Sequence, residues 1–158
     1  MAGQGLVGDR RGIRQESRRL SLERYIKAQA PVYARALAEL KAGHKQSHWM
    51  WFIFPQIVGL GHSTMSHTYA IQSLEEAHQY LAHPVLGARL RECCRTLQAL
   101  DGKTAHEIFR SPDDLKFRSC LTLFARTAPD EALFDDLLVK YFSSKEDPAT
   151  LDVLAGQR

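Results

Sequence analysis

The stretch that decides the fold is Ser47-His48-Trp49-Met50-Trp51-Phe52-Ile53-Phe54-Pro55-Gln56, called the aromatic run below. It holds both tryptophans of the chain and two of its seven phenylalanines. Each such side chain buries roughly 150–250 Å² in a core, so we expect the run to nucleate the core as a short buried helix or turn that ends at Pro55. Its polar ends leave two interpretations open, a core segment and a pocket wall.

Length and charge limit the class of protein. A chain of 158 residues with 44% hydrophobic residues predicts one domain with a single core. No apolar run approaches the ~20 residues that span a membrane, so we expect no membrane partner. Most of the net charge of +3 comes from five arginines in the first 19 residues, which argues against a nucleic-acid partner. We predict a disordered basic tail over 1–18 and a single all-α domain over 19–158.

The cysteines and histidines predict neither a cofactor nor a metal. Three cysteines, an odd number without a signal peptide, favour reduced thiols and a cytoplasmic location. His44 and His48 are four residues apart, but Gly43 makes a helix through them unfavourable. His106-Glu107 lacks the second histidine of a helical zinc site, and no Cys-x-x-Cys is present.

Helix start and stop signals recur along the whole chain. Ser73 to Glu76 and Thr104 to Glu107 have the capping-box pattern, and Gly43 should end the second helix. Prolines at 84, 112 and 148 suit first turns of helices. With no strand alternation or hairpin signal, the pattern predicts an all-α fold, a compact single-domain bundle of about seven short helices.

The aromatic run, followed by Gly59-Leu60-Gly61, resembles the hallmark of the bacterial and fungal domain-of-unknown-function family 1810, whose members are often mislabelled calpastatin. The resemblance continues through His83-Pro84-Val85-Leu86-Gly87 and Ser111-Pro112-Asp113-Asp114-Leu115-Lys116-Phe117-Arg118-Ser119, and it covers roughly residue 22 to the C-terminus. It implies a compact, mostly helical single domain. No reaction is established for the family, so the resemblance transfers no catalytic residue.

Polar residues around the aromatic run form the candidate ligand site. Aromatic faces, backbone amides of a glycine loop and basic side chains suit a small anionic or nucleotide-like ligand. The predicted ligand-binding residues are Ser47, His48, Trp49, Trp51, Gln56, Gly61, His62, Ser63, Lys116 and Arg118. His48 and His62 are the candidate general bases if the protein is an enzyme, a question that the sequence leaves open.

Two other interpretations compete with the ligand site. In one, the tryptophans belong to the core, the histidines to the surface, and Lys116 or Arg118 pairs with a neighbouring aspartate. In the other, the protein is a non-enzymatic interaction module whose partner contacts the aromatic run. A short helix would point Trp49 and Trp51 in nearly opposite directions, so we expect one indole to point into the core and the other towards the His48 side.

Overall fold

The structure, a computed structural model, describes residues 22–157, and the tail predicted over 1–18 lies outside the described residues. Within 22–157 the chain is mostly helical, and the strand-like pairing there is one parallel bridge between Ile57 and Ile71. The helices are α1 (22–29), α2 (Tyr33–Ala42), α3 (Met50–Ile53), α4 (Thr64–Thr68), α5 (Leu74–Ala82), α6 (Leu86–Ala99), α7 (Ala105–Phe109), α8 (Asp113–Thr127), α9 (Ala132–Phe142) and α10 (Pro148–Gly156).

The all-α prediction is confirmed, but the predicted number of about seven helices is wrong. Ten helices occur in the described part of the chain. Three of them, α3, α4 and α7, have only four or five residues. Helices of about one turn cannot show the apolar period of 3.6 on which a sequence-based count depends.

Local signals explain where several helices, long and short, begin or end. Gly43 takes the left-handed conformation (φ 69°) that ends α2. Thr104 and Glu107 form the full capping box at α7. At α5 only half of the predicted box is present, because Ser73 accepts the Glu76 amide while the Glu76 carboxylate accepts the amide of Gln72.

Helix α8 is the centre of the molecule. It packs against α5, α7, α9 and α10, and its buried residues face several directions, as expected for a helix surrounded by others. The aromatic run lies on it through Phe54, whose ring centroid is 5.0 Å from that of Phe117 in α8 and 5.9 Å from that of Phe109 in α7. None of the described helices is long and apolar enough to span a membrane.

The contact between α5 and α6 allows no side chain at one position. A Cβ atom added to Gly87 in α6 would overlap the carbonyl oxygen of Leu81 in α5, whereas one added to Gly156 in α10 would meet no atom within 4 Å. Gly87 therefore allows the two helix backbones to approach each other closely.

We expect Gly87→Ala to lower the free energy of unfolding by roughly 1–3 kcal/mol, because overpacking outweighs the gain in helix propensity of about 1 kcal/mol. The matched control, Gly156→Ala, should be neutral or slightly stabilising. Urea unfolding at pH 7 measures both changes. Equal stabilisation of the two variants would show that α5 and α6 do not meet as described.

Candidate functional site

The aromatic run is anchored by a buried carboxylate on α2. Glu39 is only 9% exposed. One of its oxygens accepts hydrogen bonds from the Gln46 amide (2.9 Å), the Ser47 amide (3.1 Å) and the indole N–H of Trp49 (2.9 Å). The other accepts the Ser47 hydroxyl at 2.6 Å. Four donors on one carboxylate fix the path of the chain into α3.

These hydrogen bonds decide the ionisation of Glu39. Burial raises the pKa of a carboxyl group, but the hydrogen bonds from Ser47, Gln46 and Trp49 outweigh it and lower the pKa of Glu39 to about 2. The group is therefore a carboxylate at neutral pH. It also gives the Trp49 indole, which is fully buried, the acceptor that a buried indole requires.

Trp51 has a different environment. It is half-buried, and its side chain borders a small cleft between the aromatic run and α4. We call this the Trp51 cleft and define it by Trp51, Gln56, Gly61, Ser66, His67 and Tyr69. Its free volume of about 10 Å³ holds about one water molecule. The expected asymmetry of the two tryptophans is thus present: Trp49 is in the core and Trp51 lines a cleft.

Four polar side chains of the Trp51 cleft have no hydrogen-bond partner among residues 22–157. They are the indole N–H of Trp51, the carboxamide of Gln56, the imidazole of His67 and the hydroxyl of Tyr69. None is sealed away from solvent. Because all four are open to solvent, a ligand could take the place of the water that hydrates them.

The loop that forms the outer wall of the cleft is closed at its base. The Val58 amide donates to the carbonyl of Ile71, and the Ile71 amide donates to that of Gln56, both at 2.8 Å. A side chain at Gly61 would overlap Ser66, so glycine is needed where the loop folds onto α4. No residue of α4 is buried, so little packing energy holds this wall in place.

Helix α1 supports the end of that wall. The Arg24 guanidinium donates to the carbonyls of Thr68 (2.7 Å) and Ala70 (2.9 Å), and the Tyr25 hydroxyl donates to the carbonyl of Tyr69 (2.7 Å). Three consecutive carbonyls are thereby held by two neighbouring side chains. The wall is firm at its Tyr69 end, whereas residues 59–62 make no backbone hydrogen bond with another described residue.

Two lysines and one aspartate connect the tryptophans. The ammonium of Lys116 lies 5.2 Å from the ring centroid of Trp51, and that of Lys45 lies 4.9 Å from that of Trp49. Both pair with Asp113, Lys45 at 2.9 Å and Lys116 at 3.5 Å. The cleft lining contains no acidic residue, and the ring of Trp51 that borders it has a lysine ammonium over it.

The other predicted site residues lie outside this cleft. Trp49 and Ser47 are engaged by Glu39, and His48 and His62 are exposed and do not contribute to the lining. The Ser63 side chain caps α4 by accepting the Ser66 amide.

Arg118 lies near α10 and away from the cleft lining, with Nη2 3.6 Å from Asp147 and a buried Nε that has no partner among the described residues. Of the predicted set, the cleft therefore brings together Trp51, Gln56 and Gly61, with Lys116 above the Trp51 ring. Ligand binding by any of these residues stays a prediction.

Sequence reasoning missed Glu39, His67 and Tyr69. Glu39 lies on a helix whose apolar face was recognised, and an acid among surface positions gives no sign that it is buried. The only available signal was that two buried indoles need acceptors. His67 and Tyr69 follow the glycine loop, and only its closure onto Ile71 brings them beside Trp51.

A second cavity, of about 640 Å³, lies between α10 and the ends of α5 and α8. Leu74, Pro129, Leu151 and Leu154 are among its lining residues, and its surface is mainly apolar. It contains none of the predicted site residues.

Comparison with known proteins gives a family and a structural relative. The family described as "Protein of unknown function (DUF1810)" matches residues 19–154. The crystal structure of the conserved hypothetical protein Rv1873 from Mycobacterium tuberculosis, at 1.38 Å, is similar with a TM-score of 0.84 and 49% identity. The match covers 85% of this chain and 96% of that one. No functionally curated protein matches the sequence.

The lowered pKa of Glu39 predicts a pH-dependent stability. Its folded-state pKa of about 2 lies below the ordinary value of 4.5, so its contribution, of the order of 3 kcal/mol, is complete above about pH 5 and is lost as the pH falls towards 2. We expect Glu39→Gln to be less stable than the natural protein at pH 7, and the difference to shrink as the pH approaches 2.

Urea unfolding between pH 7 and 2.5 measures this convergence. Asp152→Asn is the control, because Asp152 is exposed and makes no hydrogen bond or ion pair with another described residue. Its unfolding curve should follow that of the natural protein at every pH. A constant difference for Glu39→Gln would mean that the carboxylate is not preferentially bound in the folded state.

The two tryptophans should differ in their contribution to stability. We expect Trp49→Ala to cost roughly 3–5 kcal/mol, because it leaves a cavity and removes a donor from Glu39. Trp51→Ala should cost clearly less, and His48→Ala should remain within about 0.5 kcal/mol, as for an exposed residue. Denaturant unfolding of the three variants tests this order. Comparable large losses in all three would make the whole segment structural.

Proposed function

Because the chain belongs to the DUF1810 family of proteins of unknown function, we propose a function from its own residues: the Trp51 cleft binds a small anionic, nucleotide-like ligand. The observation that carries this proposal is the group of unpartnered polar side chains beside a half-buried indole. Trp51, Gln56, His67 and Tyr69 offer these groups in one place, and Lys116 adds a positive charge above the indole.

The chemistry of these groups favours a ligand rich in hydrogen-bond acceptors. The indole N–H and the ammonium can only donate, while the carboxamide, hydroxyl and imidazole can do either. Aromatic ligands stack on exposed indole faces, with a gain of about 1–3 kcal/mol per base in nucleic-acid complexes. A planar group near Trp51 with a phosphate or carboxylate near Lys116 satisfies both features.

The cleft must widen to take such a ligand. Ligand pockets typically enclose about 300–1,000 Å³, far more than the volume described above. Helix α4 has no buried residue and the preceding segment 59–62 has few hydrogen bonds, so displacement of this wall costs little. The carbonyls held by Arg24 and Tyr25 keep the Tyr69 end fixed while the glycine end moves.

We propose binding and assign no reaction. His67 is the one histidine of the Trp51 cleft, and a general base must lie within hydrogen-bond reach of its substrate. His48 and His62 would therefore act only on a ligand that extends beyond the cleft.

Reduced cysteines support a cytoplasmic location as part of the proposal: Cys93, Cys94 and Cys120 are free and buried, and burial raises the pKa of each thiol.

The alternative, a non-enzymatic interaction module, would depend on Trp51. The other apolar side chains of the aromatic run, Trp49, Met50, Phe52, Ile53 and Phe54, are buried. A partner could contact the half-exposed indole, but one side chain is a small part of a typical interface of about 800 Å² per partner. The unpartnered polar groups favour a small ligand.

Thermal-shift screening against nucleotides and sugar phosphates tests the proposal. A ligand present at about 100 times its Kd adds roughly 2.7 kcal/mol, which raises the Tm of a domain of this size by about 5–10 °C. The shift should disappear in Trp51→Ala and Lys116→Gln and persist in His48→Ala and in Arg95→Gln, a matched change of an exposed cation outside the cleft. Absence of any shift across the panel, with tryptophan fluorescence unchanged, would contradict the proposal.

A further inference from the structure

Charged groups alternate in sign along a chain of contacts that ends at the Trp51 cleft. The Glu39 carboxylate binds the Trp49 indole, and Lys45 lies over that indole. Lys45 pairs with Asp113, Asp113 pairs with Lys116, and Lys116 lies over Trp51. The sequence of charges is negative, positive, negative, positive, and the final positive charge lies over Trp51, which lines a cleft without an acidic residue.

The two lysines do not share Asp113 equally. Lys45 approaches it to 2.9 Å, donates as well to the carbonyl of Ser47 at 2.7 Å, and has a side chain only 8% exposed. Lys116 is 3.5 Å from Asp113, beyond the usual length of a charge-assisted hydrogen bond, and its side chain is 24% exposed. Lys45 is therefore the strong partner of Asp113, and Lys116 the weak one.

We infer that Asp113 and Lys45, which do not line the Trp51 cleft, are positioning residues that set how strongly Lys116 attracts an anion to Trp51. This inference rests on the proposed function. Because Lys45 neutralises most of the charge of Asp113, the positive charge of Lys116 can attract an anion to Trp51. An anionic group of the ligand becomes the next member of the alternating series and replaces Asp113 as the closest partner of Lys116.

The neighbouring charges at the start of α8 do not change this assignment. Asp114 accepts a hydrogen bond from the backbone amide of Leu115 and lies 3.4 Å from the imidazole of His106, which is exposed. Glu107 is held in the capping box of α7. Neither carboxylate pairs with Lys116, so Asp113 is the acidic side chain that competes for it among the described residues.

Substitutions of Asp113 and of Lys45 should change the attraction of an anion to Trp51 in opposite directions. Asp113→Asn removes the competing carboxylate and should strengthen anion attraction at Trp51. Lys45→Gln removes the group that neutralises Asp113, so Asp113 turns towards Lys116 and anion attraction should weaken. A merely structural role would loosen the same region in both variants and would move the two measurements in the same direction.

Quenching of Trp51 fluorescence by iodide measures the effect without an identified ligand. Trp49 has no exposed surface, so the quenchable emission of the intact protein comes from Trp51. Acrylamide, which is neutral, reports accessibility alone, and the ratio of the iodide to the acrylamide quenching constants reports the local charge. Potassium chloride keeps the ionic strength constant, since screening would otherwise change the ratio.

We expect the ratio to rise roughly twofold in Asp113→Asn and to fall by about the same factor in Lys45→Gln and Lys116→Gln, as a change in local potential of the order of one kT would produce. Arg95→Gln should leave the ratio unchanged. A ratio that moves in the same direction in Asp113→Asn and Lys45→Gln, or in neither, overturns the inference. If Lys45→Gln does not fold, Asp113→Asn decides alone, with caesium as the cationic quencher expected to show the reverse change.

The result separates this inference from the proposed function. If the quenching ratios change as expected but no compound of the ligand panel raises the Tm, the charge arrangement is established and the ligand-binding function is contradicted. If a compound binds but the ratio of iodide to acrylamide quenching is unchanged in Asp113→Asn, the proposed function is supported and the positioning role of Asp113 and Lys45 is contradicted.

Discussion

The buried carboxylate of Glu39 is the constraint on which the centre of the molecule depends. A carboxylate that is removed from water costs free energy unless hydrogen bonds replace those of water. Four donors from Gln46, Ser47 and Trp49 meet this requirement. Because these donors follow one another in the chain, their common acceptor fixes where the aromatic run enters the core, and thereby which of its two indoles is buried.

This arrangement explains how a run of bulky apolar residues can supply both part of the core and the wall of a cleft. Trp49 is held inside by a polar contact, and Phe54 packs on Phe109 and Phe117. Trp51 is left at the boundary with α4, where the wall is lightly packed. The aromatic run thus has a firmly held inner side and a lightly packed outer side, and ligand-binding loops are drawn from regions of low local stability.

The fold was largely predictable because its signals are local. Caps at Ser73 and Thr104 and the glycine at 43 act within one turn of the residues they order. The one-turn helices lacked a period long enough to be counted. Of the residues that line the Trp51 cleft, the sequence analysis named Trp51, Gln56 and Gly61, and it also named Lys116, which lies over the Trp51 ring. His67 and Tyr69 join the cleft only because the loop closes onto Ile71, and Glu39 binds groups seven to ten residues further along the chain; no helical period encodes either contact.

The parallel bridge between Ile57 and Ile71 has a consequence for how far the loop that follows Val58 can change. A loop whose two ends are tied together by backbone hydrogen bonds can change in length and composition without moving the helices that flank it, because the added cost of closing a longer loop grows only slowly with length. Insertions between Gly59 and Ser63 would reshape the mouth of the cleft and leave Trp51 in place. The bridge thus separates a rim that can change in length from a floor that keeps its position.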